Sequence, residues 1–213
     1  MNIGFLHRIW PVYGGGETVT KCLVNELVKR GHEIFVIYTK RSVQQDLELD
    51  ERIHQIQLPN ISYDENSSEF FVKFNMVKTV NSITKEIVIQ NKIDILINQW
   101  WPVEFIDRVR NETGVKVIKC LHMDPDTHKV FNLFGIAGKL WSTVLPLYRA
   151  VEKRKHLYSL DKYLTHSDLL VFLAPSFLQF YRNKRKSKKK IIQKTDFVFN
   201  PLVYQVKEPI EWE

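Results

Sequence analysis

Seven short runs rich in Ile, Leu, Val and Phe recur along the chain: Asn2–Arg8, Glu33–Thr39, Ile53–Leu58, Ile93–Gln99, Val115–Leu121, Asp168–Ala174 and Asp196–Asn200. Several are apolar almost throughout instead of alternating, which is the pattern of strands covered on both faces, as in a parallel sheet. Helical stretches separate most of them. Glu17–Arg30 sets Val19, Leu23 and Leu27 on one face, widened by Cys22, Val24 and Val28. A second candidate starts at Ser67 or Ser68 and runs to about Gln90; Pro102–Glu112, Ala150–Thr165 and Ser176–Lys184 follow. Strand and helix alternating in this way predict an α/β fold with a doubly wound, mostly parallel seven-stranded Rossmann-like sheet. In such a sheet the ligand crevice lies beyond the carboxyl ends of the strands. That rule gathers three loops: Trp10–Glu17, Trp100–Val103 and His122–His128.

The first of these loops contains Gly14-Gly15-Gly16-Glu17, directly after an opening strand and directly before an amphipathic helix. A helix start presents unpaired N–H groups and partial positive charge, and glycine lets backbone approach a ligand closely. The spacing is neither G-x-G-x-x-G nor a Walker loop, since the glycines are contiguous and no Gly-Lys-Ser/Thr follows. A flexible turn capping the helix is the alternative reading. Glu17 is either a base or a complement to the helix dipole.

Charge is localised. The net charge is +7, and residues 182–190 alone hold seven Lys and Arg with no acid, so the remainder is neutral. That distribution, with no recognition helix or RNA-stacking motif, argues against a nucleic-acid partner. Cys22 and Cys120 are the two cysteines, each in an apolar element. They read as buried reduced thiols suited to a reducing cytoplasm, not as a disulfide framework. The opening residues read as a strand, not as a secretory leader. Val130–Tyr148 carries one charge, Lys139, but Gly135, Gly138 and Pro146 interrupt it. It reads as an apolar lid, a docking surface or a segment lying in a lipid interface, not as a membrane span.

The candidate chemical groups sit at the strand ends. His122 closes the fifth strand, followed by Asp124, Asp126 and His128; the string offers metal-ligand types, but one loop without a distant partner argues for no metal. A loop-capping His122 is the bland reading. His7 and Arg8 close the first strand, and Trp10, Trp100 and Trp101 stand near the loop mouths as core residues or as rings that stack on sugars.

Four ordered pieces together resemble the N-terminal domain of retaining GT-B glycosyltransferases of family 4. They are Pro11 with Gly14-Gly15-Gly16-Glu17 after the first strand, the turn Arg30-Gly31-His32-Glu33, the strand-terminal His122, and the pair Ser167–Ser176 and Phe197–Leu202. The resemblance implies one half of a GT-B fold: a Rossmann-like domain over residues 1–202, the start of an interdomain linker at 203–213, and an absent C-terminal donor-binding domain, since no E-x7-E fits into Val203–Glu213. It implies a nucleotide-sugar donor contacted by Gly14, Gly15 and Gly16, with His122 as catalytic residue orienting the donor sugar. The acceptor, a glycan or a lipid-linked molecule, would meet Glu17, His7, Trp100, Trp101 and Asp124. Neither metal nor other cofactor is implied. Lys184, Arg185, Lys186, Lys188, Lys189, Lys190 and Trp141 are the candidate contacts to an anionic membrane surface, which would make the protein cytoplasmic and peripheral to the membrane. Half of a catalytic unit is expected to transfer sugar negligibly alone; a standalone glycan- or lipid-carrier-binding module is the alternative.

Overall fold

The computed structural model describes residues 1–11, 15–41, 48–58, 74–99, 104–121, 135–185 and 193–198. Strands β1 (Asn2–Trp10), β2 (Glu33–Arg41), β3 (His54–Gln57), β4 (Ile95–Asn98), β5 (Lys116–Leu121), β6 (Leu169–Phe172) and β7 (Thr195–Phe197) alternate with helices α1 (Gly15–Lys29), α2 (Phe74–Gln90), α3 (Glu104–Thr113), α4 (Gly135–Thr165) and α5 (Pro175–Lys184). Two strands in a row, β2 and β3, are joined without a described helix between them. The strands form one sheet in the order β3-β2-β1-β4-β5-β6-β7, and all six pairings are parallel.

Register explains the apolar runs. Gly4 pairs with Phe35 and Leu96, so Leu6, Phe35, Ile37, Leu96 and Val117 share one face. There they pack with Val80, Ile87 and Val88 of α2 and Ile106 and Val109 of α3. The same face continues through Leu170 and Phe172 to Leu157, Leu160 and Leu164 of α4 and Leu178 and Tyr181 of α5. Ile3, Phe5, Ile34, Val36 and Tyr38 point the other way, against Val24 and Val28 of α1. Both faces are thus apolar where helices cover them, which is why the strands do not alternate.

α1 ends in a Schellman motif. His32 N–H donates to the Leu27 carbonyl and Gly31 N–H to the Val28 carbonyl, with Gly31 at φ +82°. The chain reverses there into β2, leaving α1's other end over the carboxyl edge of β1.

The long helix departs from the sequence expectation. Ala150–Thr165 is only its second half, and the helix begins at Gly135 and continues through Pro146. A proline removes one N–H and crowds one carbonyl, so it need not end a helix whose other turns are bonded. Most of the apolar stretch 130–148 is therefore helical and continuous with the part docked on the sheet.

Candidate functional site

The strand order reverses direction between β1 and β4, and at their carboxyl ends the structure collects a buried polar cluster. His7, fully buried on β1, places Nε2 3.0 Å from Thr20 Oγ1 on α1. Thr20 Oγ1 also lies 2.9 Å from the Gly16 carbonyl oxygen and 2.5 Å from Oε1 of Gln99, the residue after β4. A single hydroxyl proton cannot serve two oxygens. With the Gln99 amide turned so that its NH2 faces Thr20, the hydroxyl accepts from His7 and Gln99 and donates to Gly16. That orientation gives the one hydroxyl proton a single acceptor, and it engages the Gln99 nitrogen, which otherwise lacks a partner among the described residues.

The consequence is mechanical. The first turn of α1 is tied through Gly16 and Thr20 to the ends of β1 and β4. Around it, the His7 ring lies 4.8 Å from that of Trp10, which is fully buried and precedes a cis bond to Pro11. Lys119, buried on β5, donates from Nζ to the Gln99 carbonyl at 2.9 Å and lies over the Tyr163 ring at 4.9 Å. By register Lys119 shares the Leu6 and Asn98 face, opposite α1, so this contact ties β5 and α4 to the end of β4.

Gly15 and Gly16 form the first turn of α1; Gly16 is buried and Gly15 exposed. A Cβ built on Gly15 meets nothing within 4 Å among the described residues. Glu17, half-buried in the same turn, has its carboxyl pushed above the usual range by burial, against a backbone hydrogen bond and the Arg8 charge that lower it. Gly14, Trp100, Trp101, His122 and Asp124 lie outside the described residues, as do Lys186, Lys188, Lys189 and Lys190. Trp141 falls in α4, but its side chain is not among those described. Lys184 is exposed. Arg185 is half-buried, and its Nε donates to Asp161 Oδ1 at 2.8 Å. Both cysteines are free and only partly buried, and burial pushes the Cys120 thiol up to about 11. Among the described residues, no three His, Cys, Asp or Glu are grouped to hold a metal ion.

Reading the sequence missed Thr20, Gln99 and Lys119. Lys119 did leave a signal, a cation inside the apolar run Val117–Leu121. Thr20 and Gln99 left none, because only the fold brings two positions 79 residues apart into contact.

No protein-family model matches the sequence, and none of the curated proteins does. Solved structures share the fold. A sucrose-phosphate synthase from Thermosynechococcus elongatus is 11% identical with a TM-score of 0.59, over 93% of this chain and 47% of that one. The lipopolysaccharide outer core galactosyltransferase WaaB, in its apo form, is 15% identical with a TM-score of 0.56, over 97% and 47%. A glycosyltransferase from Rickettsia africae ESF-5 is 17% identical with a TM-score of 0.52, over 93% and 42%. The fold is the Rossmann-like α/β fold of GT-B glycosyltransferases. The chain spans less than half the length of each of these three proteins.

Proposed function

We propose that this chain is the acceptor-side domain of a retaining glycosyltransferase of family 4, moving a sugar from a nucleotide-sugar to a glycan or lipid-linked acceptor. The observation that carries the reading is the amino end of α1. It is anchored by the Thr20 cluster at the point where the sheet order reverses, yet no described residue stands within 4 Å of a Cβ placed on Gly15. Packing among the described residues gives Gly15 no reason to lack a side chain. A ligand that needs the backbone N–H groups of residues 14–16 does, and an anion such as a diphosphate is what a helix start favours.

In this reading the donor diphosphate meets Gly14, Gly15 and Gly16. His122 orients the donor sugar and stabilises charge developing at the reacting carbon. Glu17, Trp100, Trp101 and Asp124 line the acceptor side, while His7, fully buried, reaches Thr20 instead of the crevice and holds α1 in place. The Glu17 carboxyl, half-buried in the first turn of α1, is suited to hydrogen-bonding a sugar hydroxyl. The rest of the donor site belongs to a second domain, consistent with a match to under half of each neighbour. The membrane contact assigned to Lys184–Lys190 would bring the domain to a lipid-linked acceptor, in the cytoplasm.

The test is transfer of labelled sugar from UDP- and GDP-sugars by the protein carrying this domain, wild type against His122→Ala. We expect turnover to fall about a hundredfold or more with a small change in KM and unchanged circular dichroism. Near-wild-type turnover in the folded variant removes His122 from the mechanism. Absence of transfer from every donor removes the reading itself.

A further inference from the structure

The orientation of α4 about its own axis is fixed. Leu157, Leu160 and Leu164 are buried against β6 and α5. Between them, Asp161 accepts from the Tyr181 hydroxyl and from Arg185 Nε, both at 2.8 Å. The opposite side of the helix must therefore face away from the sheet. It carries Val144, Leu147, Val151 and Tyr158, exposed by 50%, 68%, 44% and 71%. Their spacing of three, four and seven residues keeps them on one stripe of an α-helix, about 21 Å from end to end. Isolated exposed apolar residues are ordinary, but a stripe along one helix is not.

What flanks the stripe identifies its occupant. Arg154, Lys155 and Lys162 are exposed on the same side. None of the described exposed residues of α4 is acidic. The helix sequence contains six Lys and Arg against two acids, one of which is the inward-facing Asp161. A second copy docked stripe to stripe would set these cations against one another. No described helix is long and apolar enough to cross a membrane. An apolar stripe with cations along its borders has the composition of a helix that lies in a lipid surface, side chains in the acyl boundary and charges at the phosphates.

We propose that the outer face of α4 binds anionic lipid bilayers, with Val144, Leu147, Val151 and Tyr158 inserted and Arg154, Lys155 and Lys162 on the headgroups. This goes beyond the transfer reading, and vesicle binding is measured without donor or acceptor, so either conclusion can fail alone.

The test is co-sedimentation of the full chain with phosphatidylglycerol–phosphatidylcholine vesicles and with pure phosphatidylcholine vesicles, at low and high salt. The wild type should prefer the anionic vesicles. Leu147→Ser/Val151→Ser/Tyr158→Ser should lower partitioning at least tenfold at both salt concentrations. Arg154→Ser/Lys155→Ser/Lys162→Ser should lower it about fivefold per cation at low salt and little at high salt. Replacing Lys184, Lys186, Lys188, Lys189 and Lys190 by Ser should leave the effect of the apolar variant in place. If the triple apolar variant loses its helical circular dichroism, the single exchange Leu147→Asp carries the same expectation. Wild-type indifference to lipid charge overturns the proposal. So does full binding by the folded apolar variant, or a dimer in light scattering that Leu147→Asp dissociates.

Discussion

At Thr20, three buried polar groups share one hydroxyl, and removing that hydroxyl should cost more than a surface hydrogen bond. Thr20→Val keeps the shape but leaves His7 Nε2, the Gly16 carbonyl and the Gln99 amide facing a methyl group. The expected loss is about 1–3 kcal/mol in urea unfolding, while Thr20→Ser stays within about 1 kcal/mol. Equal losses for the two variants would mean that the hydroxyl is not what holds α1. Gly15 makes the contrasting case. Gly15→Ala meets no neighbour among the described residues and exchanges glycine for a better helix former, so stability should be unchanged or rise by up to about 1 kcal/mol. If a ligand needs the backbone there, the same variant should bind or use its donor at least about tenfold less well. A variant that is both as stable and as active as wild type would make Gly15 a mere helix start.

Among the elements, Asp168 joins three. Its carboxylate accepts two bonds from Arg110 of α3, at 3.1 and 2.9 Å, and one from the Val117 N–H of β5, at 2.9 Å, at the entry to β6. The Arg110 guanidinium, with the Val117 amide, holds the carboxyl down to about 2 against burial. Because the folded-state pKa is depressed, the charged carboxylate stabilises the fold fully above the ordinary value of 3.8. That contribution is lost as pH falls from about 4 to about 2. Asp168→Asn should cost about 1–3 kcal/mol at neutral pH and flatten the pH dependence of unfolding in that window. An unchanged acid limb would show that the clamp does not contribute. The sequence placed Asp168 at a strand entry but gave no sign of Arg110, 58 residues away. That is the general division. Periodicity reports each element's own faces, so β1, β2, α1 and the parallel sheet were legible. α4 was not, because the sequence of its amino half is apolar almost throughout. Gly135, Gly138 and Pro146 then looked like breaks in a pattern that had no single period. The cluster at Thr20 was illegible for a different reason: its members share no local pattern, only the carboxyl edge of the sheet.

For the molecule as a whole, the proposed reading gives this chain one wall of the donor site, the anchored start of α1. One wall contacts a nucleotide-sugar on one side and leaves the other side hydrated. Affinity depends on desolvated, convergent contacts, and a half-enclosed ligand forfeits most of them while still losing its translational freedom. The match to less than half of each structural neighbour fits a site completed by a second domain. We therefore expect calorimetry of this 213-residue chain with UDP- and GDP-sugars to show little or no heat, and labelled-sugar transfer by it alone to be negligible. Supplying a donor-binding domain, fused or in trans, should restore both. Submicromolar binding by the chain alone would place the whole donor site within these residues and overturn the two-domain reading. Glycan or lipid-carrier binding with no transfer, even when the second domain is supplied, would instead leave a binding module built on the same sheet edge.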